Sequence, residues 1–327
     1  MTSTPNPAIS PLALIADDMR AVDRVIAQRL TTSVPLIGQI SHYIIAAGGK
    51  RLRPALLLLV CGALGYEGAQ RFNLAAVVEL IHTATLLHDD VVDESTMRRG
   101  RATANESFGN PASVLVGDFL HTRSFQMMVE AGSMRIMEIL SEATNVIAEG
   151  EVQQLINMHD ASLDEAGYLR VIRSKTAKLF EASAQLGAIL AGSPPAIEAA
   201  CATYGQALGT AFQIIDDVLD YDGDTAEMGK NIGDDLREGK STLPLIAAMQ
   251  RGTPEQAATV RHAIEQGSTE SLEKIVAIVK ETGALEVARA AAHAEAQRAI
   301  TALGCIPSNM YSASLLQLAA QLLARRT

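Results

Sequence analysis

The chain has 327 residues, 48% of them hydrophobic and 20% charged, enough apolar material for a sizeable core in one large or two modest domains. Its net charge of -10 argues against nucleic acid as a partner, because such binding rests on a basic footprint. Cys61, Cys201 and Cys305 are odd in number and far apart, which gives no zinc or redox pattern and points to a reducing compartment.

From the start, "MTSTPNPAIS" lacks a basic stretch followed by an apolar block, so no secretory signal is expected, and residues 1–20 read as a loosely ordered lead-in. Helical periodicity then runs almost throughout. Gly and Pro interrupt it near Gly48-Gly49, Gly65 to Gly68, Gly109-Asn110-Pro111, Gly192 to Pro195, Gly223, Gly252 to Pro254, Gly267-Ser268 and Gly304 to Pro307. No stretch alternates apolar and polar residues with β-branched enrichment for long enough to suggest a sheet. "SLDEAGYL" and "TPEQAATV" read as helix starts with acidic first turns. The longest apolar run, from Ala55 past Cys61, falls short of the roughly 20 residues a membrane span needs, so a cytoplasmic protein is expected. The expected fold is all-α: a single domain over residues 1–327, built as a helical bundle.

Two stretches break the pattern. "LLHDDVVDES" places Asp89, Asp90 and Asp93 at the end of an apolar helical run, and "FQIIDDVLDYDGD" repeats the spacing with Asp216, Asp217 and Asp220. Along a helix the outer aspartates of each motif lie one turn apart on one face, where like charges repel. One such cluster is an ordinary solvated face. Two with the same spacing, 127 positions apart (216 minus 89), suggest helices that face each other across a cavity. Carboxylates without His or Cys favour a hard cation, and Mg²⁺ completes its shell with water and substrate phosphate. The basic runs "GGKRLRP" and "MRRGRAT" supply phosphate-binding groups: Lys50, Arg51 and Arg53 in the first, Arg98 and Arg99 in the second. Neither a Walker-type loop nor a dinucleotide fingerprint is present.

Taken together, these segments resemble the trans-isoprenyl diphosphate synthase family, from about Gly48 to Leu245 and in the family's order. "GGKRLRP" is similar to its isopentenyl diphosphate site, and "LLHDDVVDESTMRRG" to its first aspartate-rich motif. "SKTAKLF" is similar to its Lys-Thr segment, "FQIIDDVLDYDGD" to its second aspartate-rich motif, and "GKNIGDDLREGKSTLPLI" to the lysine segment that follows. "VELIHTATLLHDDVVDES" and "SVLVGDFLHTRSFQMM" bring it nearest to the bacterial long-chain members.

The resemblance implies antiparallel helices around a deep central cavity, a homodimer, and a Mg²⁺-dependent prenyltransferase. Such an enzyme adds isopentenyl diphosphate to an allylic diphosphate, here farnesyl diphosphate, to an octaprenyl-length product for quinone side chains. It implies three Mg²⁺ ions per site with substrate bound, replaceable by Mn²⁺, and at most transient membrane contact for product release. Asp89, Asp93 and Asp216 would carry the metals, with Asp90, Asp217 and Asp220 as ligands or supporting acceptors. Arg98, Lys175, Lys230 and Lys240 would reach the allylic diphosphate. Lys50, Arg53, His82 and Arg99 would hold isopentenyl diphosphate. Thr176 and Gln213 would steady the allylic cation or simply pack, and Asp234-Asp235 would cap a helix or bind metal through water. Short-chain members block the growing tail with an aromatic just before the first motif. Ala84 and Thr85 stand there in this chain, so the tail should descend past them to a floor at Met128 with Leu140 beside it.

Rival readings are shorter- or longer-chain synthases, a class I terpene cyclase, a head-to-head synthase and a non-catalytic subunit of a heteromeric synthase. The second intact D-D-x-x-D and "GGKRLRP" disfavour a cyclase, as does an aromatic content of 4%. The Arg pair after the first motif disfavours a head-to-head synthase, and a non-catalytic subunit should have degraded motifs.

Overall fold

The computed structural model describes residues 11–222 and 233–323. The first half of the chain forms α1 (Ala16–Arg29), α2 (Pro35–Ala46), α3 (Leu52–Ala63), α4 (Gln70–Val92), α5 (Ala104–Phe108), α6 (Asn110–Glu130) and α7 (Met134–Asn157). There follow α8 (Glu165–Ile172), α9 (Lys178–Leu190), α10 (Pro195–Asp222), α11 (Asp234–Arg237), α12 (Leu243–Arg251), α13 (Pro254–Gln266), α14 (Leu272–Glu281), α15 (Ala284–Ala302) and α16 (Met310–Leu323). The fold is all-α, as expected.

Burial explains the central position of α3. Every residue from Pro54 to Cys61 is buried, and a helix that is apolar all round must be enclosed. It packs on α4 and α9. α10 has 28 residues, which makes it about 42 Å long. Its first half belongs to a core cluster built with α1 to α7 and α9, and its second half to a cluster with α8 and α11 to α15. The site therefore draws on both clusters through one continuous helix.

Several details depart from the expectation. Residues 13–20 are not a loose lead-in: a 3-10 turn at Ala13–Ile15 runs into α1, and burial of Ile15 and Val22 ties it down. A break absent from the sequence reading falls between α6 and α7, where the Ser133 side chain accepts from Ile136 N–H as an N-cap. Two-residue strands β1 (Met97–Arg98) and β2 (Arg101–Ala102) pair antiparallel, with Met97 opposite Ala102. Strands this short carry no periodic signal. Between α8 and α9 the helix loosens into a π turn, Arg173–Ala177. Among the expected helix starts, "TPEQAATV" forms a full capping box between Thr253 and Gln256, and in "SLDEAGYL" the cap is Asp164, accepting from Gly167 N–H at 2.7 Å. The break at Gly223 lies outside the described residues.

Candidate active site

An open cavity of about 1110 Å³ lies where α4 and α10 carry their acidic ends. Glu79, His82, Leu86, Asp89 and Asp93 recur at alternating spacings of three and four along α4, which makes one helical face, and all five line the cavity. On α10, Gln213, Asp216, Asp217 and Asp220 also line it, so the structure brings both aspartate motifs to one space. Lys50, Arg53, His82, Thr85, Arg98, Arg99, Lys175, Thr176 and Lys240 line it too, as do Asp234 and Asp235.

Two lysines reach the first motif. Lys175 Nζ lies 3.8 Å from Asp89 Oδ2 and 2.5 Å from Glu151 Oε2, and Lys240 Nζ lies 3.3 Å from Asp93 Oδ2 while pairing with Glu238. Burial is the main force raising the Asp89 carboxyl, against the pull of Lys175, Arg98 and Lys240. Burial, then the Asp89 charge, pushes Glu151 up to about 7. For Lys240 burial acts downward, but Glu238, Asp235 and Asp93 outweigh it and hold the ammonium above its ordinary value. The π turn that carries Lys175 rests on α7 at Gly150. A Cβ there would lie 2.8 Å from the Lys175 backbone nitrogen, so only glycine lets the turn come this close. A π turn at a functional position is a recurrent association.

A hydrogen-bond chain, buried at its Tyr168 end, ties this turn to the second motif. Thr176 Oγ1 donates to Gln213 Oε1 at 2.9 Å, Gln213 Nε2 to Asp217 Oδ1 at 2.8 Å, and Tyr168 Oη to Asp217 Oδ2 at 2.5 Å. Thr176 and Gln213 are thus bonded to each other, more than simple packing. Burial first, then Asp235, raises the Asp217 carboxyl well above the carboxylate range, although both hydrogen bonds oppose this. The backbone N–H of Asp235 donates to Asp220 Oδ2 at 3.3 Å.

The basic lobe sits further down the α4 stripe. Arg53 Nη1 donates to His82 Nε2 at 3.2 Å, and its guanidinium lies 4.5 Å over the Phe180 ring. Burial lowers Arg53 to about 10. Its Nε is a buried donor with no protein acceptor. Burial, then Arg53, Arg98 and Arg99, holds His82 well below its ordinary value, so the ring is neutral and accepts through Nε2.

These two walls and the adjoining basic lobe are the arrangement of a diphosphate-handling enzyme, and the sequence matches agree. Residues 34–281 match the family model described as polyprenyl synthetase. The chain belongs to this family. It is 54% identical over 307 residues to octaprenyl diphosphate synthase of Escherichia coli (strain K12), covering 94% of this chain and 95% of that one. It is 46% identical over 310 residues to the geranyl-diphosphate-specific all-trans-nonaprenyl-diphosphate synthase of Rhodobacter capsulatus, covering 94% of each. Its fold superposes with a TM-score of 0.94 on a crystal structure of polyprenyl synthase from Caulobacter crescentus CB15 complexed with calcium and isoprenyl diphosphate, at 44% identity and 97% coverage of both chains.

Polyprenyl synthetases use a divalent metal, and the donor set here suits one. Among the described residues no three His, Cys, Asp or Glu side chains form a closed metal cage. Carboxylates on opposite walls of an open cavity suit a hard cation that draws much of its shell from water and phosphate oxygen.

Within this family frame, several expected residues take other places. Asp90 is fully buried and turned from the cavity: Arg98 donates to it from Nε at 3.0 and 3.3 Å and from Nη2 at 2.7 Å, so its oxygens are committed to a guanidinium rather than a metal. The helix explains this, because Asp90 is rotated about 100° from Asp89. The same rotation separates Thr85, on the cavity wall, from Ala84, buried in the first core cluster. Met128 and Leu140 are likewise buried in that cluster and do not line the cavity. Lys230 lies outside the described residues. Glu79, Glu151, Tyr168 and Glu238 also line the site and were not singled out from sequence. The α4 spacing could have found Glu79. Glu238 lies inside the quoted lysine segment, two residues before its partner Lys240, whereas nothing local marks Glu151 and Tyr168, which arrive on separate helices.

Proposed function

We propose that this chain is a long-chain trans-polyprenyl diphosphate synthase, which extends an allylic diphosphate with isopentenyl diphosphate to an octaprenyl-length product. The observation that carries this reading is the pairing of two aspartate-bearing walls with a separate basic lobe in one cavity. The two charged regions suit two diphosphates held side by side.

The allylic diphosphate lies between the motifs, where Asp89, Asp93, Asp216 and Asp220 face it and Lys175, Lys240 and Arg98 supply charge. Mg²⁺, three ions per site with Mn²⁺ as a substitute, supplies electrostatic stabilisation of the departing diphosphate when bound. Lys175 and Lys240 already touch the first motif and exchange carboxylate contacts for phosphate oxygens as substrate enters. Arg98, fixed by Asp90, presents its charge in a set orientation. Once the allylic C–O bond breaks, the cation lies near the Thr176–Gln213 pair, whose oxygen dipoles favour positive charge. Isopentenyl diphosphate sits against Lys50, Arg53 and Arg99, and its double bond attacks the cation. The departed diphosphate then accepts the proton.

One experiment tests the whole reading. The pure protein is incubated with farnesyl diphosphate, labelled isopentenyl diphosphate and Mg²⁺, and dephosphorylated products are separated by chain length. A ladder ending at octaprenyl is expected. Absence of label in any chain longer than the primer would refute the activity, and a ladder ending elsewhere would correct the length.

The same reading takes the chain as one functional unit, working as a homodimer in the cytoplasm and feeding quinone side chains. The spread of site residues over both core clusters supports the single unit. Among the described residues no helix is long and apolar enough to cross a membrane.

A further inference from the structure

Glu79 is a carboxylate among apolar neighbours: Val77, Val78, Leu80 and Ile81 are all buried. Its side chain is 13% exposed, a position that disfavours a charge unless cations reach it. They do. Arg51 Nε lies 3.4 Å from Glu79 Oε1, and the guanidinium groups of Arg53 and Arg99 also act on this carboxylate. Glu79 lines both the main cavity and a small adjoining pocket shared with Gly48, His82, Arg98 and Arg99.

Two of these arginines sit on strained backbone. Arg51 has φ 46° and Arg99 has φ 52°, in the left-handed region that an ordinary residue rarely adopts. Such conformations persist only where the surroundings hold them. Arg51 is held at two points, by Glu79 and by Asp23 at 2.6 Å. Arg99 lies against Gly49 so closely that a Cβ there would stand 2.5 Å from Nη1.

We propose that Glu79 is a positioning residue of the isopentenyl diphosphate lobe, drawing Arg51 and Arg99 together around the Gly49-Lys50 turn and fixing the angle at which Arg53 and Arg99 meet a diphosphate. This rests on the two-diphosphate reading above. Glu79 itself touches no substrate, since it and the diphosphate are both anionic. Without a carboxylate at this point, three guanidinium groups repel one another and Arg51 keeps only its contact with Asp23.

The test turns on a sign. A carboxylate that merely adds negative charge near an anion site weakens binding, so Glu79→Gln would then tighten isopentenyl diphosphate. A positioning carboxylate gives the opposite: KM for isopentenyl diphosphate should rise roughly tenfold, with KM for farnesyl diphosphate within about twofold of wild type. Calorimetric titration of isopentenyl diphosphate into metal-free protein should show the same loss. That measurement needs no turnover, so it decides the role of Glu79 even if the wild-type chain proves inactive in the elongation assay. Glu79→Asp, which keeps the charge but shortens its reach, should show a smaller loss of the same selectivity. Tighter or unchanged isopentenyl diphosphate binding in Glu79→Gln, equal loss for both substrates, or failure of both variants to fold would overturn the proposal.

Discussion

Arg98 grips Asp90 through Nε and Nη2, and this pair divides the first aspartate motif into two kinds of work. Asp89 faces the cavity, whereas Asp90 faces the protein. The two alanine variants should therefore fail differently. Asp89→Ala should lower turnover by at least about a hundredfold with the melting temperature kept or raised, because a desolvated carboxylate is lost. Asp90→Ala should destabilise the fold by on the order of 2 kcal/mol, less than for a fully buried pair because Arg98 is 27% exposed. Thermal melts beside turnover rates check both. Equal melting temperatures for the two variants would contradict the division.

Glu151 makes stability depend on pH. Its carboxyl rises from 4.5 to about 7 in the folded protein, through burial first and the Asp89 charge second. Between these values the folded state holds a proton that the unfolded state releases. Its stabilising contribution is complete below the unfolded value and is lost as pH rises through about 7. Metal-free Glu151→Gln should consequently melt above wild type near pH 8, with the gap closing toward about pH 5. A gap that widens on acidification would mean Lys175 outweighs burial at this site.

Tyr168 should act on the second motif without touching substrate. Its hydroxyl donates to Asp217, which also accepts from Gln213 and so connects to Thr176. Tyr168→Phe removes one buried bond and should cost roughly 1–2 kcal/mol. Because Asp217 neighbours Asp216, the half-saturating Mg²⁺ concentration should rise as well. An unchanged Mg²⁺ requirement with a lower melting temperature would reduce Tyr168 to packing.

The division between what the sequence carries and what only folding reveals follows chain locality. The aspartate motifs, the basic runs and most helix breaks are local patterns, so spacing and residue chemistry expose them. Helical rotation sets Asp89 and Asp93 on the cavity face and turns Asp90 and Ala84 away from it, a distinction that the motif's residue types alone do not carry. Glu79 was within reach of the same rule. Tyr168 and Glu151 were not, because their partners Asp217 and Lys175 are 49 and 24 positions away (217 minus 168 and 175 minus 151) on other helices. The π turn at Arg173–Ala177 and the two-residue strands depend on close packing and leave no periodic trace.

Product length should respond at Thr85 before Ala84. Thr85 lines the cavity with Leu86, Phe180 and Phe212, and its hydroxyl already donates to the His82 carbonyl at 2.8 Å, so the helix does not need it for a bond elsewhere. A phenylalanine at this position projects into the space a growing chain must cross, one helical turn from Asp89. Thr85→Phe should stay active, since it leaves every charged group in place, and should shift the main product to shorter chains. Ala84 is 2% exposed and packed in the core, so Ala84→Phe should first cost about 1–3 kcal/mol through overpacking. Chromatography of dephosphorylated products, run beside thermal melts, separates the two effects. An unchanged ladder in a stable Thr85→Phe variant would show that the tail leaves the cavity by another wall.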